Sequence, residues 1–185
     1  MSYVFDPEVL HQIAKDSLGL PMHEMVPKLA TEIAARYPGH VEEQPEWVFN
    51  NAGGAMGSMA VLHASLSEYL IVFGTPIGTE GHSGRFWADD YFMILDGEQW
   101  AYQQGSTERE VYKAGDLHLM PRGVAKGYKM PDACWALEYA RGWIPLMLPF
   151  GFADAFTSTL DMRTLARTVK LYSRSAIKQL AKGKI

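Results

Sequence analysis

Across residues 47–144 the chain is a succession of short apolar runs parted by turn formers, and that texture leaves little choice but antiparallel sheet. The runs 68–73, 90–95, 100–102, 110–112, 116–120 and 135–139 are rich in β-branched and aromatic residues. Between them stand Asp96-Gly97, Gly105-Ser106, Ala114-Gly115 and Pro121-Arg-Gly123, which supply tight turns. Strands this short and this evenly spaced predict a sandwich or a barrel. Helices flank the β region. Asp6-Pro7-Glu8 reads as an N-cap, a proline at the first helical position and a first-turn acid. Val9, Leu10, Ile13 and Ala14 follow at helical spacing, and Gly19 is a stop. A second helix spans about 22–36 and ends at Pro38-Gly39. Near the C-terminus a short helix is expected at about 152–159, then a longer one from an Asp161 cap to about residue 182. The 185 residues fit one domain, with N-terminal helices at 1–45, a barrel at 46–142 and C-terminal helices at 143–185.

Composition narrows the function. Cys134 is the single cysteine, so neither an intrachain disulfide nor a Cys-rich zinc site can form. No run is long and apolar enough for a standard membrane-spanning helix. Asp6, Glu8, Lys15 and Asp16 are wrong for a secretory signal. The net charge of -4 does not suggest nucleic-acid binding, but it hides an asymmetry. Ten basic and 21 acidic residues lie at or before Asp161, a balance of -11, and seven basic residues with no acid follow, a balance of +7. Arg163, Arg167, Lys170, Arg174 and Lys178 step by four, three, four and four, which sets them along one helix face beside Leu165, Val169, Tyr172, Ala176, Ile177 and Leu180. Such a helix suits either a membrane interface or a packed helix with a solvated basic face, and the absence of acids favours the membrane. Trp143, Leu146, Met147, Leu148, Phe150 and Phe152 are the expected apolar contacts with the bilayer.

Two carboxylates stand in apolar strands. Strand alternation puts Cys134, Ala136 and Glu138 on one face and Trp135, Leu137 and Tyr139 on the other. If the Glu138 face is interior, burial raises its pKa; the alternative is a plain ion pair with Arg141 at the strand end. Asp89 and Asp90 point to opposite faces, so at most one is interior, and Asp90 shares its face with Phe92 and Ile94. A buried Asp90 near Glu138 makes a pair sharing one proton. Asn51-Ala-Gly-Gly-Ala-Met-Gly57 lacks the Lys-Ser/Thr of a phosphate loop and follows no clear strand, so nucleotide binding is not expected. Gly81-His-Ser-Gly84 reads as a turn.

The rhythm of Ile94-Leu-Asp-Gly-Glu98, Gly115-Asp116 and Pro121-Arg-Gly123 resembles that of cupin barrels, many of which hold a metal through histidines and a carboxylate. Here His82 is the only histidine near the first motif, Lys126 stands at a usual ligand position of the second, and His118 reads as a structural or surface histidine. A catalytic metal needs about three protein ligands, so neither a metal nor a cofactor is expected.

Longer motifs carry a more specific resemblance. Asn51-Ala-Gly-Gly54, His63-Ala-Ser-Leu-Ser-Glu-Tyr69, Phe73-Gly-Thr75, Gly81-His-Ser-Gly84 and Glu138-Tyr-Ala-Arg-Gly-Trp-Ile-Pro145 resemble the family that joins the sigma non-opioid receptor to the fungal C-8 sterol isomerases, over about residues 3–174. Ala88-Asp-Asp-Tyr-Phe92, the stretch 142–152 and Ser158-Thr-Leu-Asp161 are similar to the isomerase branch. The receptor has an aspartate where this chain, aligned without gaps, has Phe92; Asp90, two residues earlier on the same face, is the natural substitute. The resemblance implies a cupin-like antiparallel barrel covered by two C-terminal membrane-facing helices, a homotrimer, and association with the endoplasmic reticulum membrane. It implies a sterol Δ8→Δ7 isomerase, or alternatively a non-catalytic receptor for sterols or cationic amphiphiles. Glu138 and Asp90 are then the catalytic acids, and Tyr69, Phe73, Phe86, Phe92 and Tyr128 the aromatic walls.

Overall fold

The computed structural model describes residues 3–184. It opens with helices α1 (Pro7–Asp16) and α2 (Met22–Arg36). The Asp6 carboxylate accepts from the backbone N–H of Glu8 at 2.8 Å, the cap the sequence called for. Gly19, with φ at 81°, breaks the chain between the helices.

Ten strands follow: β1 (Trp47–Ala52), β2 (Ala55–Ala64), β3 (Glu68–Thr75), β4 (Thr79–His82), β5 (Ala88–Asp96), β6 (Glu98–Gln103), β7 (Glu110–Lys113), β8 (Leu117–Met120), β9 (Lys126–Met130) and β10 (Cys134–Gly142). They form a six-stranded sheet in the order β1-β2-β3-β10-β5-β8 and a four-stranded sheet in the order β4-β9-β6-β7. Every pairing is antiparallel, as the run-and-turn pattern implied. The sheets enclose a common interior without joining into one closed hydrogen-bonded cylinder.

The larger sheet is buried on both faces. On the outside, Leu10, Leu29 and Ile33 of the two helices share a core with Leu62, Leu70, Val72 and Leu137. On the inside, Ile71, Phe73, Ile94 and Ala136 meet Met130 of the smaller sheet. All eight residues of β3 are therefore buried, and the strand has no polar face to give it alternation. The glycine-rich stretch 51–57 does follow a strand, contrary to expectation. It is the β1–β2 hairpin, with Gly53 and Gly54 at φ 63° and 87° in the turn, a pair of positive angles that side chains resist.

The chain then returns to helix. A 3₁₀ turn at Ile144–Leu146 leads into α3 (Leu148–Asp154), a π turn at Ala155–Thr159 and α4 (Met162–Leu180). The short helix thus begins four residues earlier than the expected 152, because Pro149 sits in its first turn, where a proline lacks no needed N–H. Asp161 caps α4 by accepting from Thr164 N at 3.0 Å. Both helices pack against β1, and α4 also against β2, over the open end of the larger sheet. The far end of α4 is pinned: Gln179 Oε1 lies 2.7 Å from His40 Nδ1, and Lys184 Nζ lies 2.9 Å from the fully buried Glu68.

Candidate active site

The interior between the sheets holds a cavity of about 1020 Å³, its mouth included. Its wall carries Glu138, Asp90, Tyr69, Phe73, Phe86, Phe92 and Tyr128, all seven residues singled out in the sequence. The register explains how they meet. Glu138 on β10 lies opposite Phe92 on β5 and opposite Ile71 on β3, while Ala140 lies opposite Asp90 and Tyr69. Glu138 and Asp90 are thus diagonal neighbours on one face, within side-chain reach.

Glu138 and Asp90 are both buried. The Tyr69 hydroxyl donates to Glu138 Oε1. Burial pushes the Glu138 carboxyl up to about 7, against the pull of that hydrogen bond. Asp90 is raised well above the ordinary carboxylate range by burial and by the neighbouring Glu138 charge, and its Oδ1 has no partner among the described residues. Burial thus favours the protonated form of both acids, and a charge on Glu138 disfavours one on Asp90. Tyr69, Tyr128 and Tyr172 are raised too, by burial and by these acids, and stay protonated.

The alternative reading of Glu138 as the partner of Arg141 fails on strand geometry. Residues three apart on a strand point to opposite faces. The Arg141 guanidinium lies on the other side, 5.1 Å from the Tyr91 ring centre. Asp89 behaves as the exposed member of its dipeptide, with Oδ2 at 2.8 Å from Arg122 Nη2.

The rest of the wall was not read from sequence. Met147, Leu148, Phe150 and Phe152 enter from the C-terminal segment, and Thr168 and Tyr172 from α4. This corrects the expectation that all of Trp143, Leu146, Met147, Leu148, Phe150 and Phe152 face a membrane: Met147 is buried, and the last three line the cavity. At the opposite end, β6, β8 and β9 bring in Gln99, His118 and Lys126, all buried. His118 is no surface residue, and Lys126 pairs with Glu110. Among the described residues no group of three His, Cys, Asp or Glu side chains converges as metal ligands. No helix among them is long and apolar enough to cross a membrane.

The family described as ERG2 and Sigma1 receptor like protein matches residues 1–184. The chain belongs to that family. Among this family member's relatives, the C-8 sterol isomerase ERG2 of Gibberella zeae is 53% identical over 186 residues, covering 99% of this chain and 79% of its own. The C-8 sterol isomerase of Pyricularia oryzae is 54% identical over 187 residues, covering 98% and 85%. The sigma non-opioid intracellular receptor 1 of Xenopus tropicalis stands further off, at 42% over 178 residues, covering 95% and 80%. Among solved structures, a putative ethanolamine utilization protein Q from Salmonella typhimurium superposes with a TM-score of 0.44 at 18% identity, over 54% of this chain and 97% of its own.

Proposed function

We propose that this protein is a C-8 sterol isomerase that moves a ring double bond from Δ8 to Δ7. The observation that carries the reading is the buried, diagonal pair of Asp90 and Glu138 inside an apolar, aromatic cavity. Similarity to fungal enzymes of that name at about half identity supports it.

The reaction adds one proton and removes another. Protonation at C9 opens the C8=C9 bond and leaves a tertiary cation at C8. Loss of a proton from C7 to a carboxylate of the pair then closes C7=C8, and the pair ends with as many protons as it began with, so there is no net change in atoms or charge. Burial and the Glu138 charge outweigh the one backbone donor to Asp90, from Tyr91, so Asp90 is the protonated partner and the acid. Glu138, held by the Tyr69 hydroxyl, is the carboxylate. It faces the cation at short range in a water-poor site, where a fixed charge acts strongly. The faces of Phe92, Phe73 and Tyr128 add quadrupolar attraction for the cation. Protonated amines that imitate the cation are expected to bind the same place, as mimics of a transition state do. A receptor-type binding protein would share that property, so turnover decides between the two. Expression in a strain lacking sterol isomerase, followed by sterol analysis, tests the reading: Δ7-sterols should appear, and persistence of Δ8-sterols alone would refute it.

The same reading includes a membrane surface. The outer side of α4 exposes Met162, Val169, Ile177 and Leu180 in a line, flanked by the basic row of Arg163, Lys170, Arg174 and Lys178. Leu146, Phe156 and Leu160 of the preceding turns are exposed as well. A helix with an apolar strip beside a row of cations suits a bilayer interface. Arg167 is partly withdrawn from this row by its pairing with Glu46. The strip covers the part of the cavity lined by α3 and α4, which suits a substrate that arrives from lipid.

A further inference from the structure

The cavity end formed by β6, β8 and β9 is polar and only half satisfied. His118 lies on the same rung as the acid: Glu138 pairs with Phe92, and Phe92 pairs with His118. Two strand spacings, about 10 Å, separate the two along the wall. Lys126 Nζ sits 3.0 Å from His118 Nε2 and also pairs with Glu110. A charged ammonium can only donate, so Nε2 must accept and the neutral ring carries its proton on Nδ1. Burial and the Lys126 charge keep the ring neutral by lowering its pKa to about 4. The Tyr112 ring stacks on the imidazole at 4.1 Å and 8°, fixing its plane, and its hydroxyl donates to Glu110 at 2.6 Å. Among the described residues, His118 Nδ1 is nevertheless buried without a partner. Gln99, opposite Tyr112 across the β6–β7 ladder, leaves its Oε1 buried and, among the same residues, unpartnered as well. Gln99 and His118 are only 3% and 6% exposed, and both line the cavity.

One free donor and one free acceptor are the complement of a single alcohol group, which accepts once and donates once. An apolar ligand would leave both unpaired at a cost, so the site as built discriminates for a hydroxyl. We infer that His118 and Gln99 form the subsite for the 3-hydroxyl of the sterol, accepting from it at Gln99 Oε1 and donating to it from His118 Nδ1. The inference rests on the sterol reading above. Phe92 lies between this subsite and Glu138 on the shared rung, so a hydroxyl held at one end puts the ring system over the acid pair. The aliphatic side chain then points toward Met147, Phe152 and Tyr172 under α3 and α4.

The test compares a 3-hydroxy-Δ8-sterol with its 3-deoxy analogue on the wild type, Gln99→Met and His118→Phe. Gln99→Met keeps length and removes the acceptor; His118→Phe keeps the stack on Tyr112 and removes the donor. The wild type should favour the hydroxylated sterol by about a hundredfold in kcat/KM. Each variant should lose about tenfold on it, mainly through KM, and little on the 3-deoxy sterol. Equal turnover of both sterols by the wild type, or equal losses on both by folded variants, would overturn the assignment. If neither sterol is isomerised, the enzyme reading fails, and displacement of a fluorescent polyene sterol by each compound still reads the hydroxyl preference. An unfolded variant leaves the wild-type comparison decisive by itself.

Discussion

Tyr69 and Glu138 meet inside the cavity in a hydrogen bond whose counterpart lies on the reverse of the same two strands, where Tyr139 donates to Glu68 at 2.8 Å. Strands β3 and β10 each carry a Glu-Tyr dipeptide, and alternation sends one tyrosine–glutamate contact inward and the other outward. The inner contact opposes the upward push of burial on Glu138, and the outer one fastens the strands to the N-terminal segment before α1 and to Lys184.

Glu138→Gln should fold and lose at least about a hundredfold to a thousandfold in kcat, since an acid–base group is removed while volume is kept. It should also lose affinity for cationic amphiphiles. Asp90→Asn should lose turnover and keep amine binding, because Glu138 remains as the counter-charge. Paired kinetic and binding measurements on the two variants check this. Loss of amine binding in Asp90→Asn alone would contradict the division of roles.

The same substitution makes a stability prediction. The folded-state pKa of Glu138, about 7, lies above its ordinary 4.5. The folded protein thus binds more protons than the unfolded chain between those values, and stability falls as pH rises through that window. Glu138→Gln removes the penalty, so it should melt several degrees above the wild type at pH 8 and near it at pH 4.5. Thermal melting at the two pH values reads the difference directly.

Tyr69→Phe deletes the donor that favours the Glu138 carboxylate. The limb of the pH–rate profile that reports ionisation of the pair should move to higher pH by about one unit, with kcat reduced about tenfold at pH 7. An unmoved profile would show that the hydroxyl has no part in setting the charge.

Glu68 is fully buried and accepts from Val4 N at 2.7 Å and from Tyr139, beside Lys184. Glu68→Leu should cost about 3–5 kcal/mol, since it removes the buried carboxylate that Val4 N, Tyr139 and Lys184 share. Tyr139→Phe should cost about 1–2 kcal/mol. Denaturant titration ranks the two; equal costs would mean that the ion pair contributes nothing.

Flotation with vesicles tests the outer strip of α4. Binding should rise with anionic lipid and weaken with salt, each exposed cation near the surface contributing roughly 1 kcal/mol. Ile177→Glu with Val169→Glu should abolish it while leaving turnover of detergent-dispersed sterol intact. Undiminished binding of the double variant would exclude this face.

What the sequence made legible follows from periodicity. Glu138 and Asp90 stand in strands whose alternation fixes their face, and the α1 cap and α2 limits were readable from Asp6 and Pro38-Gly39. Strand β2 was not, because Met59-Ala-Val-Leu62 is buried on both faces and alternates in nothing. Strands β4 and β9 are short and polar, the pattern of a loop. The pairing of Glu138 with Arg141 was attractive because the two are close in sequence, where a strand separates them by a face. His118, Lys126 and Gln99 lie on three strands that become neighbours only through tertiary register, so no local signal marks them as a group.

The two halves of the acid site come from strands far apart in the chain: Tyr69 and Glu138 are 69 residues apart, and Ser175 of α4 hydrogen-bonds Ala64 across 111. Loops of that length must close before the site gains any contact, which places its assembly late and makes folding slow. Folding brings Glu138 out of water, and above its ordinary value of 4.5 the carboxylate must gain a proton or enter as an anion. Refolding of this protein should therefore slow as the solution is made alkaline, so that the same carboxylate that serves the chemistry also times the closing of the fold around it.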